Sequence, residues 1–147
     1  MTKHLLESWL FASVAVNATL LIFIAGVLRK MMNAVDEATF KNLIALLVRY
    51  SSRSAFMIIA LNIPLILAVP YYYRYGFSNR WITLGLVLWL VTGSVSKFYK
   101  LPVYKSLASL QSTAVFEIKK ERGKFNAANI IQAILYSVAA VLVAFGL

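Results

Sequence analysis

Four apolar stretches, at roughly 8–28, 55–73, 81–96 and 129–147, restrict this chain to membrane helices. A bilayer core takes about 20 apolar residues per helix, and four such runs use more than half of a 147-residue chain. Composition agrees. Hydrophobic residues make up 61% of the sequence and the mean hydropathy is +0.77, whereas soluble domains average about 45–50% apolar. The expected fold is all-α: a four-helix transmembrane bundle with amphipathic cytoplasmic helical extensions, forming one integral membrane domain over residues 1–147.

The cations give this bundle a direction. Arg29, Lys30, Lys41, Arg49 and Arg53 lie between the first and second apolar runs, and Lys97, Lys100, Lys105, Lys119, Lys120, Arg122 and Lys124 between the third and fourth. Only Lys3, Arg74 and Arg80 fall elsewhere. Lys and Arg resist translocation and are held by anionic lipid. The two rich connections are therefore expected on the cytoplasmic side and both termini outside, in a bacterial inner membrane. The run from Trp9 to Leu28 is longer than the core of a signal peptide and reads as a retained first helix. A net charge of +10 in a soluble protein would point to nucleic acid. Charges flanking apolar spans are explained by topology and lipid, so no nucleic-acid partner is expected.

The connections carry helical patterning of their own. Asp36 is a candidate N-cap with Glu37 in the first turn after it. Phe40, Leu43, Ile44, Leu47 and Tyr50 then recur at helical spacing. With no Gly or Pro between Ala38 and Asn62, the spacing predicts one long helix protruding from the second span. Pro64 is expected to kink that span. Arg74–Arg80 is too short for anything but a hairpin, so the second and third helices are antiparallel neighbours. After Pro102, Leu107, Leu110, Ala114 and Ile118 share a helical face; Glu121, Arg122, Gly123 and Lys124 read as a turn, and Asn126 as a cap on the fourth span.

The chain has no cysteine and a single histidine, His4. That removes thiolate chemistry, disulfides and most metal-ligand sets, and the few scattered acids offer no carboxylate cluster. No cofactor is expected. Two polar groups remain. Asn17, Asn62, Thr92 and Ser137 lie at mid-depth in their spans, where a polar side chain needs a partner, so they are expected to face one another in the bundle interior. They would either fix helix rotation or floor a cavity. At the inner helix ends, Arg29, Ser51, Ser52, Arg53, Lys97, Lys100, Asn126, Asn129 and Gln132 converge on one membrane face. Snorkelling and capping explain such residues; so does a ligand site in which Arg29, Arg53, Lys97, Lys100, Asn126, Asn129 and Gln132 hold an anionic or enolate-like oxygen.

The order of these features resembles a family of small four-helix membrane proteins typified by the anthrone oxygenases, over nearly the whole chain. The family's first helix ends in a Val-Met-Pro-type segment before an Asp-containing stretch; here Val27-Leu28-Arg29 precedes Asn33 to Phe40. Its Asn-x-Pro-x-Asn-x-x-Leu pattern after the third helix corresponds to Lys100 to Leu107, with Pro102 and Leu107 kept and Lys100 and Tyr104 in the Asn places. Its Trp-Asn-x-x-Arg pattern corresponds to Phe125 to Asn129, with Asn126 kept and Asn129 in the Arg place. The resemblance implies cofactor-independent oxygenation of an activated phenol, which requires a base, an oxyanion site and a dry pocket. Two functions follow as expectations. One is binding of a hydrophobic small molecule at the cytoplasmic end, with anthrone-oxygenase-like chemistry. The other is a non-catalytic accessory subunit of a larger membrane complex or homo-oligomer.

Overall fold

The computed structural model describes residues 2–51 and 53–147, and these are all-helical apart from short connections. Among the described residues there are five helices: α1 (Lys3–Asn33), α2 (Glu37–Ser51), α3 (Ala55–Tyr75), α4 (Arg80–Ser109) and α5 (Val115–Ala144). All except α2 are long and apolar enough to cross a membrane. At 1.5 Å per residue, α1, α4 and α5 are each about 45 Å long, against about 30 Å of hydrocarbon. Most of the Lys and Arg residues lie toward one end of these helices, with the basic connections. The molecule therefore has a terminal end, with Lys3, the hairpin Gly76–Asn79 and Gly146, and a basic end.

Each end has its own apolar core. Along α1, Leu6, Leu10, Val14, Ala18, Leu21 and Ala25 form a stripe at helical spacing. They pack with Ile82, Leu86 and Trp89 of α4 and Ala133, Tyr136, Ala139 and Val143 of α5. Gly85 allows the close approach of α4 and α5: a Cβ there would sit 2.6 Å from Val143 Cγ2 and 2.8 Å from the Ala139 carbonyl oxygen. Helix α3 stands apart, packed mainly on α1 and burying only Pro64, Ala68 and Tyr71. The second core lies at the basic end, where Phe40 and Ile44 of α2 meet Met32, Val103, Leu107, Ile118 and Phe125. Arg122 braces it, with its guanidinium 4.5 Å from the Phe40 ring centre and donating to the Val35 carbonyl at 3.2 Å. Lys41 Nζ donates to the Leu110 carbonyl just past the end of α4.

Beyond the third apolar run, at 81–96, α4 continues to Ser109. Three expected boundaries are corrected. The residues Glu121 to Lys124 are helical, and Asn126 is a mid-helix residue of α5 rather than its cap, because Ile118 and Phe125 carry the buried stripe through the charges. The helix expected across Ala38 to Asn62 is two helices; Ser54 caps the second, its hydroxyl accepting from Met57 N at 3.3 Å. The face shared by Leu107 and Ile118 is split by the break at Leu110–Ala114. Pro64 and Pro70 both lie within one unbroken α3.

Both α1 and α4 contain one π-helical turn, Ile24–Leu28 and Ser96–Lys100. The second has a local cause. Pro102 lacks an N–H and its ring clashes with the carbonyl four residues back, and a widened turn just before it relieves both.

Candidate functional site

On α4, Ile82, Leu86, Trp89, Thr92, Ser96 and Lys100 follow one another at helical spacing, and the stripe continues through Val103 and Leu107. An ammonium is thereby carried onto the interior face. Lys100 is only 8% exposed. Facing it, α5 supplies Asn129, Gln132 and Tyr136 at helical spacing, all buried. Gln132 is fixed by two bonds from its Nε2, to the Thr92 carbonyl at 3.1 Å and to Ser96 Oγ at 2.8 Å. Its Oε1 has no partner, and neither does either amide atom of Asn129, which is 1% exposed. Trp89 Nε1 is likewise unpartnered. A buried polar group without a hydrogen bond costs about 1–3 kcal/mol, and here several lie close together.

These groups border a cavity of about 690 Å³ that lies between α1, α3, α4 and α5 and reaches α2. Both π turns contribute walls through Ile24, Leu28, Ser96 and Lys100, in keeping with the frequency of such turns at functional sites. Most of the wall is apolar. A second, smaller cavity of about 360 Å³ lies between α3 and α4 toward the terminal end and is almost wholly apolar. Trp89 and Leu90 border both. The two cavities thus adjoin, in a seam on the side of α3 that faces α4.

Of the residues expected to hold a ligand, the structure brings Lys100, Asn129 and Gln132 together on the cavity. Lys97 and Arg53 are exposed and stand apart from it. Asn126 is turned to α1, where its Nδ2 donates to Asn33 Oδ1 at 3.0 Å. Arg29 is half-buried outside the cavity wall, its Nε without a partner. Ser51 lines the cavity, and Ser52 lies outside the described residues. Tyr104, noted in the sequence only as an altered motif position, is also on the wall.

The mid-depth residues do not meet as a group. Asn17 is buried and its Nδ2 reaches the Leu61 carbonyl at 3.4 Å. Thr92 and Ser137 donate to carbonyls of their own helices, Leu88 and Ala133. Asn62 turns out of the packed interior and donates to the Ile58 carbonyl at 2.7 Å, bordering the cavity instead. Each of these three hydroxyl and amide groups is satisfied by a backbone carbonyl one turn back, so a partner on another helix is unnecessary.

A cluster not foreseen from the sequence occupies the terminal end. Glu7 is 2% exposed and accepts from Tyr71 OH at 2.9 Å and from Asn79 Nδ2 at 3.5 Å. Lys3 Nζ lies 3.7 Å from its carboxylate. Asn79 also donates to the Gly146 carbonyl at 2.7 Å. Its signal in the sequence is position: Glu7 sits on the buried stripe between Leu6 and Leu10. Among the described residues no three His, Asp or Glu side chains converge in a way that would hold a metal ion. No protein family, curated protein or solved structure matches this chain.

Proposed function

We propose that the protein is an integral membrane protein that binds a hydrophobic small molecule in the basic-end cavity, with that end facing the cytoplasm. One observation carries the reading. Asn129, almost fully buried, has no hydrogen-bond partner for either atom of an amide on the wall of a cavity sized for a small molecule. A side chain kept at that cost is accounted for by a ligand that satisfies it. Purification from native membranes without overexpression, followed by mass spectrometry of co-purifying small molecules, tests it. The expected result is a stoichiometric organic ligand that is lost from an Asn129→Phe variant; a protein carrying none overturns the reading. Sidedness is tested separately. The chain lacks cysteine, so single cysteines at Gly123 and Ser78 report accessibility from each side. Labelling of Gly123→Cys from the cytoplasm and of Ser78→Cys from outside is expected.

Turnover of the bound molecule, as in the anthrone oxygenases that the connections resemble, is a second reading. It is favoured by a cation and an amide donor, Lys100 and Asn129, standing over one apolar cavity.

A further inference from the structure

We propose that the occupant is an amphiphile with an acidic headgroup, its head on Lys100 and Asn129 and its tail in the seam between α3 and α4. The inference rests on the ligand-binding reading above and narrows it to a chemical class.

The head is argued from charge. Lys100 is buried on a mostly apolar wall, and among the described residues no carboxylate lines the cavity. The five acidic residues are accounted for elsewhere. Glu7 is at the terminal end with Tyr71. Asp36 caps α2, Glu37 lies 3.9 Å from Arg122, Glu121 pairs with Lys124 at 2.6 Å, and Glu117 is exposed. A buried cation is retained when it has a partner, and among the described residues no carboxylate supplies one. An acidic head fits that vacancy in the charge balance. It would also take the unpartnered Nδ2 donor of Asn129, while Gln132 Oε1 is free to accept from the ammonium.

The tail is argued from the seam. The basic-end cavity adjoins, at Trp89 and Leu90, a second cavity bordered by Pro64, Ala68, Val69 and Val87. Apart from the Trp89 indole, the polar side chains described on that second wall, Tyr72 and Thr83, bond to each other at 3.2 Å. From Lys100 to Leu90 is ten residues, about 15 Å of helix, or half of a hydrocarbon core about 30 Å thick. A chain anchored at Lys100 therefore runs the depth of one leaflet before it reaches the second cavity. A small soluble anion would have no use for such a path.

Protein in phosphatidylcholine nanodiscs, titrated and read by native mass spectrometry, tests the proposal with three probes: palmitic acid, hexadecanol and phosphatidylglycerol. One acid-headed molecule is expected per protein, with hexadecanol binding at least about tenfold more weakly. Lys100→Met is expected to bring acid and alcohol within about twofold, and Asn129→Leu to weaken the acid alone. Whichever of palmitic acid and phosphatidylglycerol shows the Lys100-dependent binding identifies a free acid or an anionic lipid as the source. Equal binding of acid and alcohol by the unaltered protein, a comparison that needs no variant, overturns the acidic head and leaves the cavity reading standing. Retention of acid preference by Lys100→Met also overturns it. Binding of none of the three overturns both.

Discussion

The two ends of this bundle treat buried polar groups in opposite ways. At the terminal end, Glu7, Tyr71, Asn79 and the Gly146 carbonyl form one bonded chain, beside helices brought together at Gly85. At the basic end, Asn129 and Gln132 are as deeply buried as Glu7, yet three of their four amide atoms are unpaired, next to a cavity. Close helix approach and satisfied hydrogen bonds mark one end. Unpaired amides beside a cavity mark the other, a local exception to hydrogen-bond satisfaction of the kind found at functional sites.

The difference can be broken most directly at Tyr71. Tyr71→Phe leaves the Glu7 carboxylate without its shortest hydrogen bond, and a loss of about 1.5–3 kcal/mol is expected, measured as chemical or thermal unfolding in detergent. Glycines give the next contrast. Gly85→Ala forces a Cβ against backbone atoms of α5 and is expected to cost about 1–3 kcal/mol. A Cβ at Gly93, beside the cavity, would meet only Tyr136 OH at 3.7 Å, so Gly93→Ala is expected to be neutral or slightly stabilising. At the basic end the sign reverses. Asn129→Leu removes an unpaired buried amide and is expected to stabilise the ligand-free protein by about 1 kcal/mol. A destabilisation as large as that of Tyr71→Phe would remove the distinction between the ends.

The smallest effect concerns the cap of α2. The backbone N–H and hydroxyl of Thr39 hold the Asp36 carboxyl below the ordinary value of 3.8. Its contribution is present above that value and is lost as pH falls through the lowered one. The protection factor against hydrogen exchange at Thr39 N–H should fall in acid in the native chain. In Asp36→Ala it should be low at every pH.

The apolar runs made the four crossing helices legible, since nothing else satisfies so much backbone in so little water. Helix ends were harder to see. Lys97, Lys100 and the Glu121 to Lys124 segment mark where polar residues begin, and at Glu121 to Lys124 the same polarity reads as a turn. Depth and helix termination are separate matters. Val103 and Leu107 on α4, and Ile118 and Phe125 on α5, keep the buried stripe going, so both helices pass through the charges into a second core. Asn126 has the chemistry of a cap, and only the continuity of the chain before it decides otherwise. Asn62 shows a different limit: its place in the second span gave its depth but not its direction around the helix. Lys100 was legible in principle, four residues beyond Ser96 on the stripe. Its burial without an acid depends on where all five acids end up, which no local spacing carries.

Trp89 gives the molecule an optical consequence. Its indole is buried where the two cavities meet, with Nε1 unpaired, whereas Trp9 and Trp81 are exposed. An occupant of the seam would change the surroundings of one tryptophan and leave the other two in contact with lipid. In a Trp9→Phe, Trp81→Phe background, the emission wavelength of the native fluorophore would report occupancy without any attached dye.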